Sequence, residues 1–305
     1  MLAASVIDEL KAALGPEGVR EHEPMSAHTT FRIGGPADAF VCPASVSQVQ
    51  EVVRICHAAG VKLWVIGCGS DLLVADRGLS GVVMEVGERL SRIDVDGCRL
   101  IVQAGATNAA VSEAACAHGL SGYEFACGIP GTVGGAAIMN AGAYDGEFAD
   151  VARELTCVDA RGALVHVTHD QADWGYRHSM MDDSGLIVVE AVLELAPASP
   201  ADVRAAIDDL TQRRTSKQPL DLPSAGSTFK RPEGYFAGKL IQDAGLRGYR
   251  VGGAQVSEKH TGFVVNAGGA TAADVRQLIA DVQDRVRASQ GVDLHPEVRM
   301  WGFDA

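Results

Sequence analysis

Apolar residues recur along this chain in two rhythms, a three-to-four-residue spacing and short unbroken runs, and the two alternate. The opening stretch MLAASVIDELKAALG sets Asp8 and Glu9 among spaced apolar positions, so it reads as an amphipathic helix and not as a signal peptide. Val46, Val49, Val52, Val53 and Ile55 repeat that spacing before Gly60, a helix stop, and the run at 61–66 reads as a buried strand. Short β runs follow at 82–86 and 100–102, then a helix over 108–118 with Ala109, Ala110, Val111, Ala114 and Ala115 on its apolar face. Further runs fall at 155–158, 164–167 and 186–195 before Pro197 and Pro200 break the pattern. Beyond the break come a helix over 201–214, a loop at 216–234, a short helix near 239–244, a strand at 262–266, a helix over 272–289 and a last strand at 292–298.

Length and composition narrow the class. At 305 residues the chain has room for about two domains. With 47% hydrophobic and 21% charged residues it is an ordinary globular protein, and no apolar run approaches the length needed to cross a bilayer. Seven cysteines are scattered without a C-x-x-C pair, which indicates neither a disulfide framework nor a metal site and predicts a cytoplasmic, reduced protein. A formal net charge of −13 argues against nucleic acid or an anionic membrane as the main partner.

Candidate chemistry begins with glycine. Residues 124–144 read EFACGIPGTVGGAAIMNAGAY, with Gly128, Gly131, Gly134, Gly135 and Gly142 separated by small or apolar residues. Backbone this bare can approach a flat or phosphorylated ligand closely, and it can equally form a small-residue helix packed on a sheet. A second glycine loop, Gly67-Cys68-Gly69-Ser70-Asp71-Leu72, follows the run at 61–66 and has the makings of a phosphate cradle of backbone N–H groups and a hydroxyl. Leu72 stands where the dinucleotide fingerprint G-x-G-x-x-G needs its third glycine, so a nucleotide cofactor fits but a Rossmann mode does not.

An acidic chain that holds an anionic ligand must concentrate its cations. Arg213, Arg214, Lys217, Lys230, Arg231, Lys239, Arg247, Arg250 and Lys259 do so within about fifty residues. For any one lysine a solvated surface is the commoner explanation, and Arg213 and Arg214 also suit the C-terminal dipole of the 201–214 helix. Within the cluster, PSAGSTFKRP places Ser227 on a stretch without bulk near Lys230 and Arg231, where a hydroxyl beside cations can donate a proton. Glu297, in PEVR, is a carboxyl in apolar surroundings that either stays protonated or pairs with Arg299.

Seven blocks in order, TTFRIGGPAD, GCGSDLLV, GIPGTVGGAAIMNAGAY, YRHS, PSAGSTFKRP, GGAQVSEKHTGFVVN and PEVR, closely resemble the UDP-N-acetylenolpyruvoylglucosamine reductase family across nearly the whole chain. The resemblance implies an α+β protein: an FAD-binding domain of the vanillyl-alcohol oxidase or PCMH type over 1–198, in two subdomains of about 1–66 and 67–198. A smaller α+β substrate-binding domain over 199–295 and a segment at 296–305 returning to the active site complete it. It further implies that Gly67, Cys68, Gly69, Ser70, Asp71 and Leu72 cradle the FAD diphosphate. Gly128, Ile129, Pro130, Gly131, Thr132, Gly134, Gly135, Asn140, Gly142 and Ala143 line the rest of the cofactor.

By the same resemblance, Arg177 is the active-site arginine, Ser227 the proton donor and Glu297 the C-terminal catalytic glutamate. Tyr144, Tyr176, Lys217, Lys230, Arg231 and Gln255 contact substrate. The implied activity is NADPH-dependent reduction of UDP-N-acetylglucosamine enolpyruvate in bacterial peptidoglycan synthesis, by a cytoplasmic monomer. The short span between Ser179 and Leu186 matches the class without an extra tyrosine-bearing substrate loop.

Two positions depart from the family pattern, which usually has Asn at Asp71 and often Gly at Cys68. A carboxylate beside a diphosphate is repulsive unless it faces an N–H or a cation, which leaves the cradle to the backbone of Gly69 and Ser70. Two competing readings are a sugar or alcohol oxidase of the same flavin fold and a non-catalytic binder that keeps the nucleotide pocket. The oxidase has no use for the cations around Arg231, and the binder none for a proton donor.

Overall fold

The computed structural model describes residues 2–303, and the chain divides into two compact units. The first takes in the chain as far as Glu21, then Asp38–Cys68 and Gly81–Arg214; the second takes His22–Ala37, Gly69–Ser80 and the chain from Thr215. Both are therefore discontinuous, which differs from the sequential division expected at residue 198. The break at Pro197 and Pro200 starts a helix, Pro200–Lys217, and does not end the first core: Val203 and Ile207 of that helix pack against Cys116.

In the first unit, α1 (Ala4–Leu14) buries Val6, Ile7, Leu10 and Leu14, and α2 (Val46–Ala58) starts where the Ser45 hydroxyl accepts the Gln48 N–H at 3.2 Å. α3 (Asn108–Ala117) is capped likewise by Thr107. Then follow α4 (Val133–Met139), α5 (Phe148–Val151), α6 (Met180–Ser184) and α7 (Pro200–Lys217). One sheet has the strand order Val19–Pro24, Pro36–Val41, Leu79–Glu85, Leu63–Ile66, its last pair parallel with Leu63 opposite Val82. A second sheet is antiparallel throughout, in the order Leu164–Thr168, Ala152–Val158, Ile187–Glu194, Arg99–Gln103, Ile93–Asp96. Val52, Met84, Val102, Phe148 and Leu155 meet in one buried core; each such side chain contributes about 1.5–3 kcal/mol when fully removed from water.

The second unit carries α8 (Ala237–Asp243) and α9 (Ala272–Gln290) on an antiparallel sheet ordered Ser224–Ser227, Phe263–Asn266, Ala254–Val256, Arg250–Val251. Phe31 and Leu73, from its two short inserts, pack with Val264, Leu278 and Val282. The strand expected at 292–298 is displaced to Arg299–Trp301, which pairs in parallel with Leu72–Val74. Pro296 has no N–H to give a ladder, and the preceding segment touches the sheet at one bridge, Phe229 to Pro296.

The N-terminus of α9 has two sources of acceptors. Thr271 and Asp274 form a capping box, and the carboxylate of Asp76 accepts the N–H groups of Ala272 at 2.8 Å and Ala273 at 3.0 Å. Because Asp76 lies on the 69–80 insert, it ties that insert to the helix. Asp76→Ala is expected to destabilise the second unit by about 1–2 kcal/mol, measured as a lower urea midpoint at unchanged slope.

Candidate functional site

The two glycine stretches meet. A Cβ on Gly67 would lie 2.4 Å from the Thr132 hydroxyl, so the end of the 63–66 strand can pass this close to the second stretch only as glycine. Thr132 is buried and caps α4 by accepting the Gly135 N–H. The helix is the small-residue element that the composition allowed, and Gly134 lets it press on Ala104, 3.1 Å from where a Cβ would stand.

Gly135, one residue on, is exposed, and a Cβ there would have only the Thr132 hydroxyl near it, at 3.8 Å. Packing therefore requires glycine at 67 and favours it at 134, but leaves 135 open. From Ala126 to Ala143 no charged side chain occurs, and Gly128, Ile129, Pro130, Gly131, Ile138, Ala141, Gly142 and Ala143 all keep part of their surface exposed. A flat, uncharged, low-bulk surface suits a planar ring system, while the first N–H groups of α4 are taken up by the Ala106 and Ala104 carbonyls and the Thr132 hydroxyl.

In the first glycine loop the second unit begins at Gly69. Gly69 has φ +58, and a Cβ would stand 2.2 Å from the His28 carbonyl oxygen. The Asp71 carbonyl accepts the Arg299 N–H at 3.0 Å, and Leu72 is buried in the parallel pair. Leu72 is thus a core residue by its side chain, whereas Cys68 is exposed and Ser70 partly so.

Arg177 sits on a two-residue turn. Gly175 and His178 exchange backbone hydrogen bonds at 3.1 and 3.2 Å around Tyr176 and Arg177, and Arg177 has φ +53, a left-handed conformation unusual for a long side chain. Its guanidinium lies over the Tyr176 ring at 5.0 Å and donates to the Gly142 carbonyl at 3.3 Å. Tyr176 is largely exposed. A second turn, Tyr144-Asp145 with φ +53 and +65, joins Gly142–Ala143 to Gly146–Glu147, and the Tyr144 hydroxyl donates to the Leu210 carbonyl at 3.4 Å.

Ser227 and Glu297 are neighbours in the second unit. The strand Ser224–Ser227 slips register against Phe263–Asn266 between Ser224 and Ser227, where Gly226 takes φ +75. The irregularity re-aims the strand end, and Ser227 is exposed. Thr228, next along, is buried; its hydroxyl accepts the Val264 N–H, and its carbonyl accepts the Glu297 N–H at 2.9 Å. One residue thus fixes both the serine and the partly buried glutamate.

The other predicted residues divide by environment. Lys217, Lys230 and Arg231 are exposed, with the Arg231 guanidinium over the Phe236 ring at 4.0 Å. Gln255 is buried and its amide is engaged within the unit, accepting from Arg250 at 2.8 Å and donating to the Gly248 carbonyl and Glu258, each at 3.3 Å. Several cations of the sequence cluster are tied locally: Arg213 to Asp209, Lys239 to Asp243, Arg247 to Gln242 and Lys259 to the Thr215 carbonyl.

The sequence offers Arg214 as one member of the cationic cluster that also suits a helix dipole, with no particular place in the site. On α7 it packs against Gly128, whose Cβ would stand 2.6 Å from the Arg214 Cδ. Burial lowers its pKa, an effect partly offset by Tyr144 and Cys127 nearby. A half-buried cation against the glycine surface is thus a site feature, and the helical spacing that places it there carried no signal of it.

Comparison with known proteins accords with this geometry. A family model described as FAD binding domain matches residues 37–168, and another, described as UDP-N-acetylenolpyruvoylglucosamine reductase, C-terminal domain, matches residues 218–301. Two α+β units, the first carrying the FAD-binding match, define an FAD-dependent oxidoreductase. The UDP-N-acetylenolpyruvoylglucosamine reductase of Clostridium perfringens is 50% identical over 288 residues, covering 94% of both chains. That of Agathobacter rectalis is 52% identical, covering 93% of this chain and 94% of its own. The crystal structure of the Thermus caldophilus reductase superposes with a TM-score of 0.79 at 32% identity over 91% of this chain and 97% of that one. The chain belongs to the UDP-N-acetylenolpyruvoylglucosamine reductase family.

Proposed function

We propose that the protein reduces UDP-N-acetylglucosamine enolpyruvate to UDP-N-acetylmuramate with NADPH as hydride donor, a step in peptidoglycan precursor synthesis. The observation that carries the reading is the meeting of Gly67 with Thr132 beside the uncharged surface of residues 128–143. That surface fits FAD: Gly67, Cys68, Gly69, Ser70, Asp71 and Leu72 would hold its diphosphate, and Gly128, Ile129, Pro130, Gly131, Gly135, Gly142 and Ala143 would line the rest of it. Thr132, Gly134 and Asn140 shape the same wall from within the core. Bound there, FAD supplies the hydride chemistry that links oxidation of NADPH to reduction of the enolpyruvyl double bond.

The chain's own groups handle charge and protons. When hydride reaches C3 of the enolpyruvyl group, negative charge builds at C2 and spreads into its carboxylate. The Arg177 guanidinium and the Glu297 carboxyl stabilise that charge, and the Ser227 hydroxyl gives its proton to C2. Tyr144, Tyr176, Lys217, Lys230 and Arg231 offer exposed polar ends to the nucleotide sugar, whereas the Gln255 amide is already engaged by Arg250, Gly248 and Glu258. We further propose a cytoplasmic bacterial monomer with no nucleic-acid partner; among the described residues no helix is long and apolar enough to cross a membrane.

The test is anaerobic. Purified protein with FAD is bleached by NADPH, and one equivalent of the enolpyruvyl substrate is expected to restore the oxidised visible spectrum. Bleaching without recovery rejects the substrate. A bleached enzyme that recovers rapidly in oxygen and not with substrate favours the oxidase.

A further inference from the structure

We infer that Asn140 and Ser179 are positioning residues that hold the Tyr176-Arg177 turn in its reactive shape; the inference rests on the role proposed for Arg177. Both side chains are polar, and both are fully buried. Asn140 ends α4 in the left-handed conformation, φ +41. Its Nδ2 donates to the Gly175 carbonyl at 3.1 Å, while its Oδ1 accepts the Ala149 N–H at 2.9 Å. The Ser179 hydroxyl donates to the Ile138 carbonyl at 2.8 Å. With the Arg177 bond to the Gly142 carbonyl, three links run from residues 138–142 to residues 175–179, one on each side of the turn and one from its tip.

This arrangement has a physical purpose. An arginine with positive φ costs energy that other contacts must offset, and a two-residue turn with a long side chain at its tip has many alternatives in solution. The Gly175 carbonyl already accepts the His178 N–H that closes the turn; the Asn140 amide is its second donor and fixes the orientation of the peptide that enters Tyr176. Ser179 fixes the exit. The Ile138 carbonyl lies in the last turn of α4, so the Ser179 bond satisfies a helix-end acceptor and sets the turn at once. A cation aimed at developing charge loses effect steeply when misplaced by about 1 Å, which makes the clamp a determinant of rate rather than of affinity.

The two bonds can be weakened separately. Asn140→Asp keeps an acceptor for Ala149 but turns a carboxylate oxygen toward the Gly175 carbonyl; Ser179→Ala removes only the bond to Ile138. Each variant, made in the full-length holoenzyme, is expected to lower substrate-driven flavin reoxidation by about 10- to 100-fold, and in Ser179→Ala, which lies outside the cofactor-lining residues, bleaching by NADPH stays within about threefold. Neither is expected to lower reoxidation further in an Arg177→Ala background, the non-additivity of residues acting as one unit. Amide exchange at His178, whose N–H closes the turn, is expected to accelerate in both variants.

Equal loss of the two half-reactions in Ser179→Ala, or additive losses of either variant with Arg177→Ala, overturns the positioning role. If Arg177→Ala itself reoxidises normally, the reading of Arg177 falls and the inference with it. If Arg177→Ala is defective while both clamp variants react and exchange like the parent, the inference alone falls. Should Asn140→Asp fail to fold, Ser179→Ala decides by the same criteria.

Discussion

Ser227→Ala is expected to be bleached by NADPH within about threefold of the parent rate and to recover its oxidised spectrum with substrate roughly 10²- to 10⁴-fold more slowly. The split follows from where the serine stands. Ser227 ends a strand whose register slips at Gly226, and it is exposed, while the neighbouring Thr228 carries the hydrogen bonds to Val264 and Glu297. Removing one exposed hydroxyl therefore leaves the sheet and the glutamate in place. Hydride arrival at C3 needs no proton from the protein, but protonation at C2 does, so only the second half-reaction suffers. Stopped-flow absorbance resolves the two phases, and equal slowing of both would remove Ser227 from the proton-donor role.

Gly135→Leu is expected to fold with a melting temperature near that of the parent and to purify without bound flavin. A Cβ at this position meets only the Thr132 hydroxyl at 3.8 Å and otherwise points into open space. A larger side chain thus costs the protein little and occupies the surface assigned to the cofactor. Gly69→Ala is the contrasting case, because φ of +58 and a contact of 2.2 Å with the His28 carbonyl put the strain in the fold itself. Visible absorbance and a thermal melt separate the two outcomes. A Gly135→Leu protein that keeps stoichiometric flavin would show that this helix start faces something else.

The pattern of apolar residues announced most helices and strands because each carries its period locally. α2 and α9 start beside capping side chains, and the 63–66 strand is an unbroken apolar run. What the pattern missed lies in contacts distant in sequence. The inserts 22–37 and 69–80 give no local sign that they leave the first core for the second. Arg214 reads as one more basic residue at a helix end until Gly128 is found against it. Gln255 and Asn140 are polar residues in motif positions, and only the fold shows that their amides are turned inward onto backbone carbonyls. The terminal strand was set too early because Val292, Leu294 and Val298 alternate with polar residues, a rhythm that Pro296 interrupts.

The discontinuity of the second unit sets an order on its birth. Phe31 and Leu73 belong to a core whose other members, Val264, Leu278 and Val282 among them, are translated much later. At about 5–20 residues per second, these two apolar side chains leave the ribosome on the order of ten seconds or more before their partners exist. The first unit has all of its chain by Arg214 and can close around its own sheets while the inserts wait. Nascent chains stalled between residues 214 and 264 should therefore bind holdase chaperones through the segments around Phe31 and Leu73, and lose that affinity once α9 has emerged.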